Sequence, residues 1–160
     1  MNKHVFIAIL LSATTLYMSA QNKQEKAAIL SAIDIKRDAL ENFYKDELGD
    51  SIAAMFSPNC HLVTEFSEII ESQEDVARFY KDEYKSGKRI SAFKLKPLEK
   101  KVYDDIVLEI GTNKIEYTML PDKKLHIKEM NYMFVWKKSK KKGYYHLRAA
   151  MWNLPEDPCK

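Results

Sequence analysis

The sequence predicts an α+β domain, with three N-terminal helices packed on a strongly curved, mostly antiparallel sheet. Two observations carry this. Val102–Asn153 reads as three long strands in a row, roughly Ile106–Met119, Ile127–Lys138 and Gly143–Asn153. Each is rich in β-branched and aromatic residues and bounded by turn chemistry. Helical periodicity is confined to the residues before them, and a helix run followed by a strand run is an α+β signature.

The first twenty residues are set apart. Lys3 and His4 precede an apolar run from Val5 to Leu16, and small residues end the segment at Ser19-Ala20. This pattern reads as a secretory signal cleaved after Ala20, leaving residues 21–160 as a single exported domain, periplasmic or secreted. The run is short of the ~20 apolar residues of a spanning helix, so no stable membrane anchor is expected after cleavage. Without Lys3 the chain keeps 25 basic and 23 acidic side chains. That balance points away from nucleic acid as a partner.

Gln24–Leu48 has the spacing of a helix, with Ile29, Ile33, Leu40, Phe43 and Tyr44 on one side and Lys26, Lys36, Glu41 and Lys45 opposite. Gly49 suits a left-handed stop. Asp50 or Ser51 caps a short helix through Phe56, ended by Ser57-Pro58-Asn59. His61–Phe66 reads as a short strand, with Leu62, Thr64 and Phe66 on one face and His61, Val63 and Glu65 on the other. Ile69-Ile70 is a second small strand. Ser72 and Asp75 resemble a capping box, and Gln73–Lys85 follows as a helix with Val76, Phe79, Tyr80 and Tyr84 on its apolar side. Gly87 closes it. Ile90–Tyr103 is a strand that Pro97 either places at a sheet edge or breaks, and its surrounding lysines suit an exposed edge.

The order and three stretches resemble the nuclear transport factor 2-like superfamily, and within it the SnoaL-like and ketosteroid-isomerase-like domains. The stretches are Leu48–Cys60, Ile70–Tyr80, and the hairpin formed by Tyr132–Trp136 and Gly143–Asn153. The resemblance implies a cone around one apolar pocket, in a group that includes isomerases, cyclases, dehydratases and binding modules. Such domains often carry an acid just before a closing Met-Trp-Asn; Ala150 stands there in this chain.

Acid–base chemistry in such a pocket needs a carboxylate or His base and a donor for the developing enolate. The candidates are Glu65 as base, with His61 on the same strand face, and Tyr44 or Tyr117 as donor. Glu65 and Tyr44 are the candidate catalytic pair. The competing register turns Leu62, Thr64 and Phe66 inward and leaves His61 and Glu65 wet. Tyr117, Tyr132, Trp136 and Trp152 are candidate walls for an apolar or aromatic small molecule, or else core or subunit-contact residues. On the last strand Tyr145, Leu147, Ala149 and Met151 read as the core face, unless a bulge turns the other face in.

Three readings stay open: a ligand-binding domain, an isomerase-like acid–base enzyme, and a structural homodimer with a filled cone. No cofactor is implied. His61, His126 and His146 lack metal-ligand spacing, so no metal is expected. Aromatics on both faces of the closing strands suggest a homodimer. Cys60 and Cys159 are a possible disulfide, closing a loop of about 100 residues worth up to ~4.7 kcal/mol by chain entropy. Two unpaired thiols are the alternative.

Overall fold

The computed structural model describes residues 3–65, 68–121, 123–140 and 143–154, with side chains from Asn22 onward. Its elements are α1 (Lys3–Lys45), α2 (Gly49–Ala54), β1 (Phe56–Val63), α3 (Gln73–Lys85), β2 (Arg89–Tyr103), β3 (Ile106–Thr118), β4 (Leu125–Lys138) and β5 (Tyr145–Asn153). The chain divides into two compact units, Met1–Ala32 and Ile33–Lys160. The first is the amino-terminal part of α1. Among the described residues no helix is long and apolar enough to cross a membrane.

In the second unit the helices pack on a curled five-stranded sheet of order β1-β5-β4-β3-β2. Every pairing is antiparallel except β1 with β5. This is the α+β architecture that the element order predicts.

The carboxy-terminal turns of α1 bury Ile33, Arg37, Leu40, Glu41 and Tyr44. These positions recur every three or four residues, so they share one stripe. Acids on this helix fasten β2, an edge strand that would otherwise present unpaired N–H groups. Asp34 takes Lys100 at 2.5 Å, and Glu41 accepts from the Leu95 N–H and the Lys94 ammonium at 2.8 Å each. Just beyond the helix, Glu47 accepts from the Ile90 N–H at 3.2 Å. The acids advance along the helix as their partners retreat along the strand, so α1 and β2 run antiparallel.

Several boundaries differ from the sequence expectation. The helix is continuous from Lys3, because its apolar leader is also built of helix-compatible residues. Gly49 does not stop α1. Glu47 holds the left-handed turn at φ 56, and Gly49 begins α2 against Tyr80, where an added Cβ would meet the Tyr80 Cβ at 3.2 Å. β1 starts at Phe56, before the expected Pro58 break; its pairing with β5 shifts register between Phe56 and His61, and that irregularity accommodates the proline. α3 runs over Gln73–Lys85, with Ser72 accepting from the Asp75 N–H.

β5 carries the most consequential correction. Its pairing with β4 slips between Val135 and Trp136, leaving Arg148 as the extra residue. The buried face is therefore Tyr145 and Leu147, then Ala150 and Trp152. Ala149 and Met151 turn outward. The bulge brings Trp152 to the concave side.

Candidate functional site

A cavity of about 240 Å³ opens on the concave face. Each wall follows from local periodicity. α3 presents Phe79, Tyr80 and Glu83, which fall on one side of the helix through 3.6-residue repetition. β3 presents Asn113, Ile115 and Tyr117, alternate residues of one strand face, and β4 presents Lys128 and Met130 in the same way. α1 contributes Tyr44, β2 contributes Phe93, and β5 contributes Trp152 through its bulge. Thr64 and Glu65 reach the cavity together because they follow the end of β1, where strand alternation no longer applies.

The apolar wall is an aromatic cluster. Tyr44 stacks on Phe93 with centroids 4.1 Å apart, and Trp152 meets Phe93 and Phe134 edge to face at 6.0 and 5.1 Å. The Tyr44 and Tyr80 hydroxyls hydrogen-bond to one another. Burial pushes both phenols well above their ordinary range, so they stay protonated.

The charged groups come in pairs. Lys128 donates to Glu65 Oε2 at 3.0 Å, and Lys88 donates to Glu83 at 2.8 Å. Lys88 also stands 4.9 Å above the Tyr117 ring, which stacks on His126. Two polar groups are left over. Glu65 Oε1 is buried without a hydrogen-bond partner, and so are both amide atoms of Asn113, a residue 2% exposed.

Of the residues expected from sequence to form the site, the structure brings Tyr44, Glu65, Tyr117 and Trp152 to the cavity. It does not bring His61, Tyr132 or Trp136. His61 is half-buried on β1. Tyr132 and Trp136 are buried in the core, and the Tyr132 hydroxyl donates to Glu109 Oε1 at 2.7 Å. Tyr132 reaches Glu109 by lying across Gly111, its partner on β3. A Cβ at Gly111 would stand 2.6 Å from the Tyr132 ring and 2.3 Å from the Lys96 carbonyl. Arg37 faces Glu109 at 3.9 Å, but burial wins and raises the Glu109 carboxyl above its usual range.

Sequence reasoning missed Asn113, Lys128, Lys88 and Glu83. For Asn113 a signal existed: it shares the period-two face of Val107 and Ile115, where it and Glu109 are the polar residues. Cys60 is fully buried, and burial raises its thiol; Cys159 lies outside the described residues, as does Phe66. Among the described residues no group of three or more His, Cys, Asp or Glu is placed to hold a metal.

No family model matches this chain, and no curated protein does. Solved structures match over most of it. A ketosteroid isomerase-like protein from Erwinia carotovora atroseptica superposes with a TM-score of 0.69 at 11% identity, covering 82% of this chain and 96% of that one. A protein from Novosphingobium aromaticivorans, described as NTF2-like with a cystatin-like fold, gives 0.70 at 6% identity, covering 87% and 90%. A structure from Catenulispora acidiphila in complex with S-DNPA gives 0.62 at 14% identity, covering 79% and 92%. The fold of this chain is the nuclear transport factor 2-like, cystatin-like fold.

Proposed function

We propose that this domain binds a small, mainly apolar molecule in the concave cavity. The carrying observation is the cavity itself. At about 240 Å³ it exceeds the roughly 150 Å³ apolar cavity that takes up benzene. Its walls combine aromatic surface with a few polar groups, the usual composition of a ligand site. An open cavity speaks for binding over a cone filled by its own side chains. The S-DNPA complex of the similar Catenulispora protein supports the same reading.

A thermal-shift screen with hydrophobic metabolites tests it. A ligand at one hundred times its dissociation constant stabilises by about 2.7 kcal/mol. The shift should fall in Tyr117→Ala and Trp152→Leu. If no compound moves the transition, the binding reading fails.

The enzymatic alternative has one observation in its favour. Glu65 Oε1 is buried, unpaired and on the cavity wall, where a base would stand. Of its two expected donors, Tyr44 already shares its hydroxyl with Tyr80, and Tyr117 also lines the cavity. Turnover of a screening hit that disappears in Glu65→Gln would establish the enzyme.

Export and self-association belong to the same proposal. The basic start, apolar run and small residues through Ala20 support export; the mature protein recovered from a native-like host should begin near Gln21. The outer sheet face supports a homodimer, with Ile127 54% and Met151 39% exposed beside half-buried Met133 and Val135. Sedimentation at micromolar concentration should show a dimer that Met151→Glu weakens.

A further inference from the structure

Asn113 is a costly residue where it stands. Both its amide atoms are buried, and neither has a partner. A buried polar group without a hydrogen bond destabilises a fold, whereas an apolar residue of similar shape avoids that penalty. Its neighbours on the cavity wall, Ile115, Met130 and Trp152, would accept such a residue. Along one edge the amide offers one of its two Nδ2–H donors beside its acceptor, Oδ1. Its complement is a second planar group with an acceptor beside a donor.

Charge narrows the class. The cavity's two carboxylates, Glu65 and Glu83, are each paired with a lysine, Lys128 and Lys88. The wall is balanced, so neither an anion nor a cation gains a free counter-ion. The oxygen left over, Glu65 Oε1, accepts only and asks for a further donor.

Resting on the ligand-binding reading above, we infer that the cavity is selective for a neutral amide-like ligand, an N–H beside a C=O carried on a single-ring apolar body. The ligand N–H donates to Asn113 Oδ1, and its carbonyl accepts from Asn113 Nδ2–H. A second N–H, as in a primary amide, serves Glu65 Oε1. The ring lies against the aromatic wall.

The test is calorimetric titration of the full chain with four probes of nearly one size: benzamide, acetophenone, benzoate and toluene. Acetophenone keeps the acceptor and loses the donor, toluene lacks both, and benzoate adds a charge. Benzamide should bind about tenfold or more tighter than each of the others, because acetophenone and benzoate leave Asn113 Oδ1 unpaired and toluene leaves both amide atoms unpaired. Asn113→Leu should abolish that preference and raise the unfolding midpoint. A fall in the midpoint would instead make Asn113 a structural residue and overturn the inference. So would a benzamide preference that survives in Asn113→Leu. Equal affinity for toluene and benzamide overturns the amide selectivity and leaves the ligand-binding reading standing. If none of the four binds, the inference falls, and the screen of larger metabolites decides the ligand-binding reading separately. The probe series on the unaltered chain decides the selectivity even if the leucine variant does not fold.

Discussion

The concave face has two ends, and both bury polar groups, but they treat them differently. At one end Glu109 is fully buried with the Tyr132 hydroxyl on one oxygen and Arg37 nearby; Arg37 in turn holds Asp34 at 2.5 Å, and Asp34 holds Lys100. Helix α1, edge strand β2 and the inner strands are joined there through the protein's own groups. At the other end the ion pairs are formed, yet Asn113 and one oxygen of Glu65 remain unpaired beside open volume. The closed end also leaves buried atoms without partners, Glu109 Oε2, Arg37 Nε and Trp136 Nε1, but none of these residues lines the cavity. Unpaired groups next to a cavity mark the end where a ligand can supply what the protein does not. The difference teaches where to look. Burial, charge and an unpaired oxygen would together have nominated Glu109; only the place on the cavity wall points to Asn113 instead.

The comparison breaks if substitutions at the closed end prove cheap or those at the open end prove costly. The largest effect should come from Trp136→Ala, which empties a fully buried site at the closed end. Loss of its packing should cost roughly 3–5 kcal/mol in chemical denaturation. Tyr132→Phe comes next. It removes the donor to Glu109 Oε1, while Oε2 has no partner to begin with. That leaves the carboxyl without a hydrogen bond, with only Arg37 at 3.9 Å, at a cost of about 1–3 kcal/mol. Tyr117→Ala, at the half-exposed mouth of the cavity, should cost less than about 1 kcal/mol while reducing ligand uptake. If Tyr117→Ala destabilised more than Tyr132→Phe, the division into a structural and a binding end would not hold.

How much of this was legible beforehand depends on which physical signal carried each element. α3 was readable to the residue because a cap, an amphipathic face and a glycine with φ of 97° all agree on its bounds. The edge position of β2 followed from Pro97 and its lysines, and the strand indeed pairs on one side only. Local signals failed where a single irregularity resets periodicity. The bulge at Arg148 turns Trp152 inward and Ala149 outward, and nothing in Leu147-Arg148-Ala149 announces it. The end of β1 before Thr64 has the same effect, so the choice between the Glu65 face and the Thr64 face dissolved; both line the cavity. The aromatic residues were recognised as a class, but which rings line space and which fill it is decided by long-range packing. Trp136 and Trp152 differ in that respect, although both pack against Phe134 on the concave face.

The smallest expected effect at neutral pH, and the one whose sign is most informative, concerns Glu109. Burial raises its carboxyl in the folded state; the Tyr132 hydroxyl and the charges of Arg37 and Lys100 pull the other way without winning. A folded carboxyl raised above its unfolded value binds the proton more tightly in the folded state. Its contribution to stability is therefore fully present below the unfolded value, near the ordinary glutamate range, and is lost as pH rises through the folded value. Asp34 acts in the opposite direction. Burial opposes its ionisation, but Lys100 and Arg37 overcome that and lower its carboxyl, so its contribution is present above its unfolded value and lost as pH falls through the folded one. The two groups lie in one network and must be separated by substitution. Glu109→Gln keeps the shape and an oxygen for Tyr132, and removes the ionisable group. It should be neutral or stabilising at pH 7 relative to the parent, and that advantage should vanish as pH falls below the glutamate range, where the parent carries a neutral carboxyl as well. Urea midpoints at pH 7 and at pH 4 compare the two proteins. If Glu109→Gln instead destabilises at pH 7 and not at pH 4, Arg37 holds Glu109 ionised, and the closed end is fastened by a buried ion pair.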